Sequence, residues 1–286
     1  MKVKGIALIQ ILILVAILSV FLLAITADVR NQIKIAQIYS DKTKAMLKLK
    51  SAESELLFEL LTKNKNDVTK LLGELLPINF YGKMVEYSDG IFVSIQDQAG
   101  LIDIHLATEP QFYRMLLPSK GESQATYLAE SLYNWQDKGE GSRLFAEFGA
   151  RVEQRKKSLV PTLFDFIHTP LINEQEIGLI EENFTLNSPG FFNPQNAPVS
   201  VINVYFEEYI AQTLVSQRNA GDNDFQKFRG EFNFNDESIL FITSNNLEVA
   251  IVSIENDIEF KKVINVKLDP YSIENDGVIN VYSEKN

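Results

Sequence analysis

Residues 6–25 read IALIQILILVAILSVFLLAI, twenty positions at which only Gln10 and Ser19 interrupt an apolar run. At about 1.5 Å per residue a helix of that length matches the roughly 30 Å hydrocarbon core of a bilayer. The whole-chain averages conceal it. Across 286 residues the composition is 45% hydrophobic with a mean hydropathy of -0.05, values typical of an acidic globular protein. Charge is equally uneven. Residues 1–27 hold Lys2 and Lys4 and no acid, so the net -11 of the chain becomes -13 on everything that follows. A hydrophobic anchor is attached to an acidic body.

Three readings compete for the first segment. A cleavable secretory signal would be cut after Ala27, but the apolar run is longer than a typical signal core. A permanent anchor needs nothing further. In the third, Met1-Lys2-Val3-Lys4-Gly5 is a short basic leader, and with the apolar helix running on into an amphipathic one it resembles a class III prepilin signal. Loop charge does not settle orientation. Lys2 and Lys4 lie before the run, but Arg30, Lys34, Lys42 and Lys44 follow it and by count favour a cytoplasmic C-terminus.

Beyond the run, residues 27–75 contain no proline and one glycine, Gly73. Val29, Ile33 and Ala36, then Met46, Leu49, Ala52, Leu56 and Leu60, recur at helical spacing, which predicts one helix from Ile6 to about Lys63 and a short one near Asp67–Leu75. Residues 28–50 carry six basic and two acidic groups before Glu53, Glu55 and Glu59 reverse the sign. Such bands are the ordinary solvated face of a helix, and they also suit staggered packing against neighbouring helices. After Pro77 the period shortens. Gly90–Ile95 and Leu101–Ile104 read as strands joined by a turn at Gln96–Gly100. Helical segments follow at Glu109–Leu117, Gln124–Trp135, Leu159–Ile167, Asn173–Glu182 and Val199–Arg218. Strands return at Ser238–Thr243, Leu247–Glu255, Glu259–Leu268 and Gly277–Tyr282. The expected class is α+β: a long N-terminal helix packed on an antiparallel sheet formed by 76–104 and 236–286, with an α-helical domain, 105–235, inserted between the strands.

Composition removes several chemistries. No cysteine is present, so disulfide scaffolds, thiolate zinc sites and cysteine nucleophiles are excluded. His105 and His168 have no identifiable acidic partner, and the hydrolase, metalloprotease and phosphate-loop motifs are missing. Mixed and acidic local charge argues against nucleic acid. Calcium is the one cofactor kept as a candidate, because Asp222-Asn223-Asp224 and Asp137 with Glu140 are oxygen-rich loops. Acidic loops without metal are commoner, and no metal ligands are assigned.

The order of features resembles the K-type minor pseudopilins of the type II secretion system, the general secretion pathway protein K family. Lys4-Gly5-Ile6-Ala7-Leu8-Ile9 is similar to its leader junction. Gly100-Leu101-Ile102-Asp103-Ile104 is similar to its Gly-hydrophobic-Asn/Asp-Leu stretch, and Asn134-Trp135-Gln136-Asp137 to the Asp-Trp-Arg-Asp-like end of a helix. Phe192-Asn193-Pro194-Gln195-Asn196-Ala197-Pro198 resembles its Ile-Asn-Val-Asn-Thr-Ala-Pro box, with Asn193, Ala197 and Pro198 kept and Gln195 and Asn196 departing.

The resemblance covers essentially the whole chain, and it implies a pilin-like fold in a protein that is not an enzyme. A prepilin peptidase would cut between Gly5 and Ile6, the new Ile6 amine would be methylated, and the body would stand in the periplasm on a single-pass inner-membrane anchor. Gln10 would occupy the fifth mature position, where most pilin-like subunits place a glutamate that pairs with a neighbour's terminal amine. A subunit at the tip has no earlier neighbour to neutralise, which is the role implied for this chain: priming the pseudopilus and supporting protein export. The implied partners are the I-, J- and H-type minor pseudopilins, the major pseudopilin, the inner-membrane assembly platform and membrane lipid. Two other readings stay open: a membrane-anchored periplasmic ligand-binding or enzymatic domain, and a tip minor pilin of a type IV pilus.

Overall fold

The computed structural model describes residues 4–63, 65, 79–135, 162–168, 172–220, 229–230, 232, 238–256, 258–270 and 278–285. The short helix expected near Asp67–Leu75 lies outside them.

Helix α1, Lys4–Thr62, is one uninterrupted helix of 59 residues, about 88 Å long. No proline or glycine breaks it after Gly5. Its last third meets a five-stranded antiparallel sheet of β1 (Val85–Ser88), β2 (Ile91–Asp97), β5 (Asn246–Glu255), β6 (Ile258–Leu268) and β7 (Ile279–Lys285), ordered β1-β2-β5-β6-β7. Strands distant in sequence therefore pair, with Ile91 opposite Ser253 and Asp97 opposite Leu247. Alternation decides which side is buried. Val93, Ile95, Val249, Ile251, Ile264 and Val266 point at α1, where Leu49, Ala52, Leu56 and Leu60 meet them. The tight turn between β1 and β2 needs Gly90: its φ is +71°, and a Cβ there would lie 2.6 Å from the Ile254 carbonyl oxygen.

Between β2 and β5 the chain leaves the sheet and builds a helical module: α2 (Glu109–Lys120), α3 (Glu122–Trp135), α4 (Glu174–Asn183), α5 (Val199–Tyr205) and α6 (Glu208–Asn219). Its core is separate from the one under the sheet. Phe112 stacks on Phe184 with centroids 5.0 Å apart and meets Phe166 edge-on at 6.5 Å. Caps start its helices: Asn173 accepts from the Gln175 and Glu176 amides, and Glu176 returns a carboxylate to the Asn173 amide, closing a capping box.

Several expectations from sequence are corrected. Leu101–Ile104 does not form a hairpin with the preceding strand. Asp97 caps a 3-10 turn, Gln98–Gly100, that diverts the chain, and β3 (Ile102–Asp103) pairs in parallel with β4 (Phe184–Thr185) inside the helical module. Ser238–Thr243 is not a strand and makes only a bridge from Ile239 to Phe192. Val199–Arg218 is two helices, because Phe206 turns extended and buries its ring beside Phe192 and Tyr205. Of the expected 159–167 helix only residues 162–167 are described, and there Leu163–His168 forms a 3-10 turn. Strand β1 was not expected at all.

Candidate assembly surface

From Leu8 to Ser40 every residue of α1 is exposed. Every large apolar side chain from Leu8 to Ile25 is more than half exposed, and Val29, Ile33, Ile35 and Ile38 are exposed as well. This is the one described helix long and apolar enough to cross a membrane. Its polar interruptions are handled locally where a hydroxyl allows it: Ser19 Oγ donates to the Val15 carbonyl at 2.8 Å and Thr26 Oγ1 to Leu22 at 2.7 Å. Gln10 is exposed on the same helix. Gly5 and Ile6 lie within its first turns.

From Asp41 onward α1 has two faces. Ala45, Leu49, Ala52, Leu56 and Leu60 are buried against the sheet, at the i, i+4, i+7, i+11, i+15 spacing of one helical stripe. Met46, expected among them, is half exposed and Ala45 takes its place. The opposite face carries Tyr39, Leu47 and Phe58, each more than 60% exposed, with Thr43, Lys50 and Ser54 between them. The outward side of this helix therefore carries apolar side chains as well as the inward one.

Ion pairs fix α1 on the sheet. Lys262 Nζ donates to both Glu53 oxygens, at 2.7 and 2.8 Å, and lies 3.5 Å from Glu284 on β7. Burial opposes the Lys262 charge, but the Glu53 hydrogen bonds and carboxylate outweigh it and hold the ammonium above its ordinary value. Lys48 Nζ donates to Glu255 at 2.6 Å, and Lys42 lies 5.6 Å from the centroid of the Phe260 ring. Burial, reinforced by the Glu55 carboxylate, raises the Tyr87 hydroxyl well beyond its usual range.

The motif residues meet at the end of β2, where the sheet passes into the helical module. Asn193 is fully buried. It caps a 3-10 turn, Pro194–Asn196, donates to the Ile242 carbonyl at 3.0 Å, and its amide donates to the Ala99 carbonyl at 2.7 Å. Gly100 sits directly under this turn, where a Cβ would come within 2.1 Å of the Asn196 carbonyl oxygen. Arg218 donates to the Ala197 carbonyl at 2.7 Å and stacks 4.0 Å over the Tyr81 ring. Sequence reasoning found Gly100, Asn193 and Ala197 but missed Gln96, Asp97 and Ser244, which complete the cluster. Its only local signal was Asp97 two residues before Ala99, an Asx turn. Asn134 and Trp135 end α3; Gln136 and Asp137 lie outside the described residues.

No catalytic constellation joins these groups. His105 has a buried Nδ1 without a hydrogen-bond partner, and its backbone amide donates to Asp103. His168 ends the 3-10 turn after Thr162. Among the described residues no group of three or more His, Asp or Glu is placed to hold a metal. The oxygen-rich stretches Asp137 to Glu140 and Asp222 to Asp224 lie outside those residues.

The chain superposes on GspK from "The Crystal Structure of the GspK-GspI-GspJ complex from enterotoxigenic Escherichia coli Type 2 Secretion System", with a TM-score of 0.53, covering 87% of this chain and 98% of that one. The fold is GspK-like. Sequence identity is 14%, so the likeness rests on the shared order of long helix, sheet and helical insertion rather than on shared side chains. No protein-family model matches the chain, and no curated protein matches it by sequence at a significant level.

Proposed function

We propose that this chain is a K-type minor pseudopilin: a non-enzymatic, membrane-anchored subunit that stands at the tip of a type II secretion pseudopilus and primes its assembly for protein export. The observation that carries this reading is the GspK-like arrangement of one long helix, an antiparallel sheet on its distal third and a helical module between β2 and β5. The apolar outward face of α1 is where partner helices pack, and the I-, J- and H-type and major pseudopilins are the partners proposed. The J and I types share the GspK crystal complex. Lys2 and Lys4 stay cytoplasmic and the acidic body stands in the periplasm. Cleavage between Gly5 and Ile6 leaves Gln10 at the fifth mature position. There it supplies no carboxylate to a neighbour's amine, as suits a subunit with nothing above it. The helical module adds bulk beside the sheet that obstructs stacking of a further subunit.

Intact mass and N-terminal sequencing of the chain expressed with and without a prepilin peptidase test the reading. A new N-terminus at Ile6 that depends on the peptidase is expected. An N-terminus at Asp28, or an uncut Met1 in its presence, sinks the proposal.

A further inference from the structure

Among the described residues there are two apolar cores, and a cluster of buried polar side chains lies between them. One core lies between α1 and the sheet, the other inside the helical module, and no buried apolar residue belongs to both. The buried polar side chains at the junction include Gln96, Asp97, Gln98, Asn193, Asn196 and Ser244. Asp97 is at their centre with no exposed surface. Its Oδ1 accepts from the Ala99 amide at 3.0 Å and from the Ser244 hydroxyl; its Oδ2 accepts from Asn196 Nδ2 at 2.8 Å and the Ser244 amide at 3.1 Å. Those donors come from three places: the turn ending β2, the 193–198 box of the helical module, and the strap that leads back into β5. Around them Gln96 Nε2 donates to the Asn196 carbonyl at 3.0 Å, and Asn246 Nδ2 to the Asn187 carbonyl at 2.8 Å.

We propose that Asp97 is a positioning residue, a latch that fixes the orientation of the helical module on the pilin-like sheet. The argument is one of directionality. Apolar packing is non-directional and tolerates sliding between surfaces. Buried polar groups have given up water and regain hydrogen bonds in a single geometry, so a displaced module leaves a carboxylate without donors. Gly100 reinforces the lock from the other side, because its backbone touches the Asn196 carbonyl with no room for a side chain.

The test uses the full chain in detergent micelles. The chain has no cysteine, so Lys261→Cys on β6 and Gln124→Cys on α3, both exposed, give a unique spin-label pair spanning the two modules. With Asp97 intact a single narrow distance distribution is expected. Asp97→Asn, which replaces an acceptor oxygen facing amide donors, is expected to broaden it at least twofold and to separate the thermal transition reported by the single tryptophan, Trp135, from that of the sheet amides in hydrogen exchange. Lys120→Met, which weakens the helical module away from the seam, is the control and leaves the distribution narrow. An unchanged width in Asp97→Asn, or equal broadening in Lys120→Met, overturns the proposal. If Asp97→Asn does not fold, Asn196→Ala keeps the carboxylate and removes one donor of the module. Broadening there supports the latch, and wild-type width refutes it.

Discussion

At the residue scale, the buried charges make the sharpest predictions. Glu176 is 1% exposed and pairs with Lys120. Burial pushes its carboxyl up, but the Lys120 ammonium and the Asn173 amide more than offset this, and the net displacement is downward. A depressed carboxylate contributes stability that is present above its unfolded value and lost as pH falls through the folded one. Lys120→Met strands that carboxylate and is expected to cost about 3–5 kcal/mol in chemical denaturation of the helical module. Glu176→Gln removes this residue's share of the acid-side slope of stability against pH. Lys262 has the opposite sign. Its raised folded value contributes stability that is complete below the unfolded lysine value and lost as pH rises through the folded one. Glu53→Gln is expected to lower stability by about 1–2 kcal/mol at neutral pH and to flatten that alkaline decline, both read by urea titration at several pH values.

At the element scale, α1 was legible almost to the residue because its signal is local: an apolar run of membrane length, then a 3.6-residue stripe with no breaker before Thr62. Leu56 sits on that stripe with no exposed surface. Leu56→Ala is expected to destabilise the sheet side by about 2–5 kcal/mol in thermal or urea unfolding while leaving membrane insertion unchanged. The errors fall where contacts distant in sequence override propensity. Ile102 and Asp103 look like the second arm of a hairpin, yet Gln98–Gly100 turns them onto Phe184 and Thr185, about eighty residues away. Phe206 breaks a segment with no proline or glycine: its backbone is extended and its buried ring packs beside Phe192 and Tyr205. Gly100 is a packing residue of the same kind. Gly100→Ala forces its new methyl into the Asn196 carbonyl, and a loss of at least about 2 kcal/mol is expected in denaturant unfolding.

At the scale of the whole molecule, the structure has an inward contract and an outward one. Inward, Ala45 to Leu60 seat the sheet; outward, the apolar segment and the Tyr39, Leu47 and Phe58 face stay exposed, and under the proposed function they meet lipid and partners. Under the proposed tip position Gln10 has no charge to neutralise. Gln10→Leu is therefore expected to leave leader cleavage and export within about twofold of wild type, measured by secretion of a reporter cargo, whereas a subunit inside the shaft would fail when altered at this position. Loss of export in Gln10→Leu would place the chain elsewhere in the filament. Partner identity separates a type II secretion subunit from a type IV pilus one, and crosslinking from the Leu47 and Phe58 face in the assembled state reads it.

The sequence by itself determined the apolar run of membrane length, the long helix, the paired strands around a helical module and the uneven charge, because each depends on period and composition over neighbouring residues. Only the tertiary structure decided that residues 101–104 belong to the helical module, that Met46 turns out while Ala45 turns in, and that Asp97, Asn196 and Ser244 meet. Those outcomes depend on groups as much as 147 residues apart satisfying one another in a buried space, and no local pattern records which donor a buried carboxylate will find.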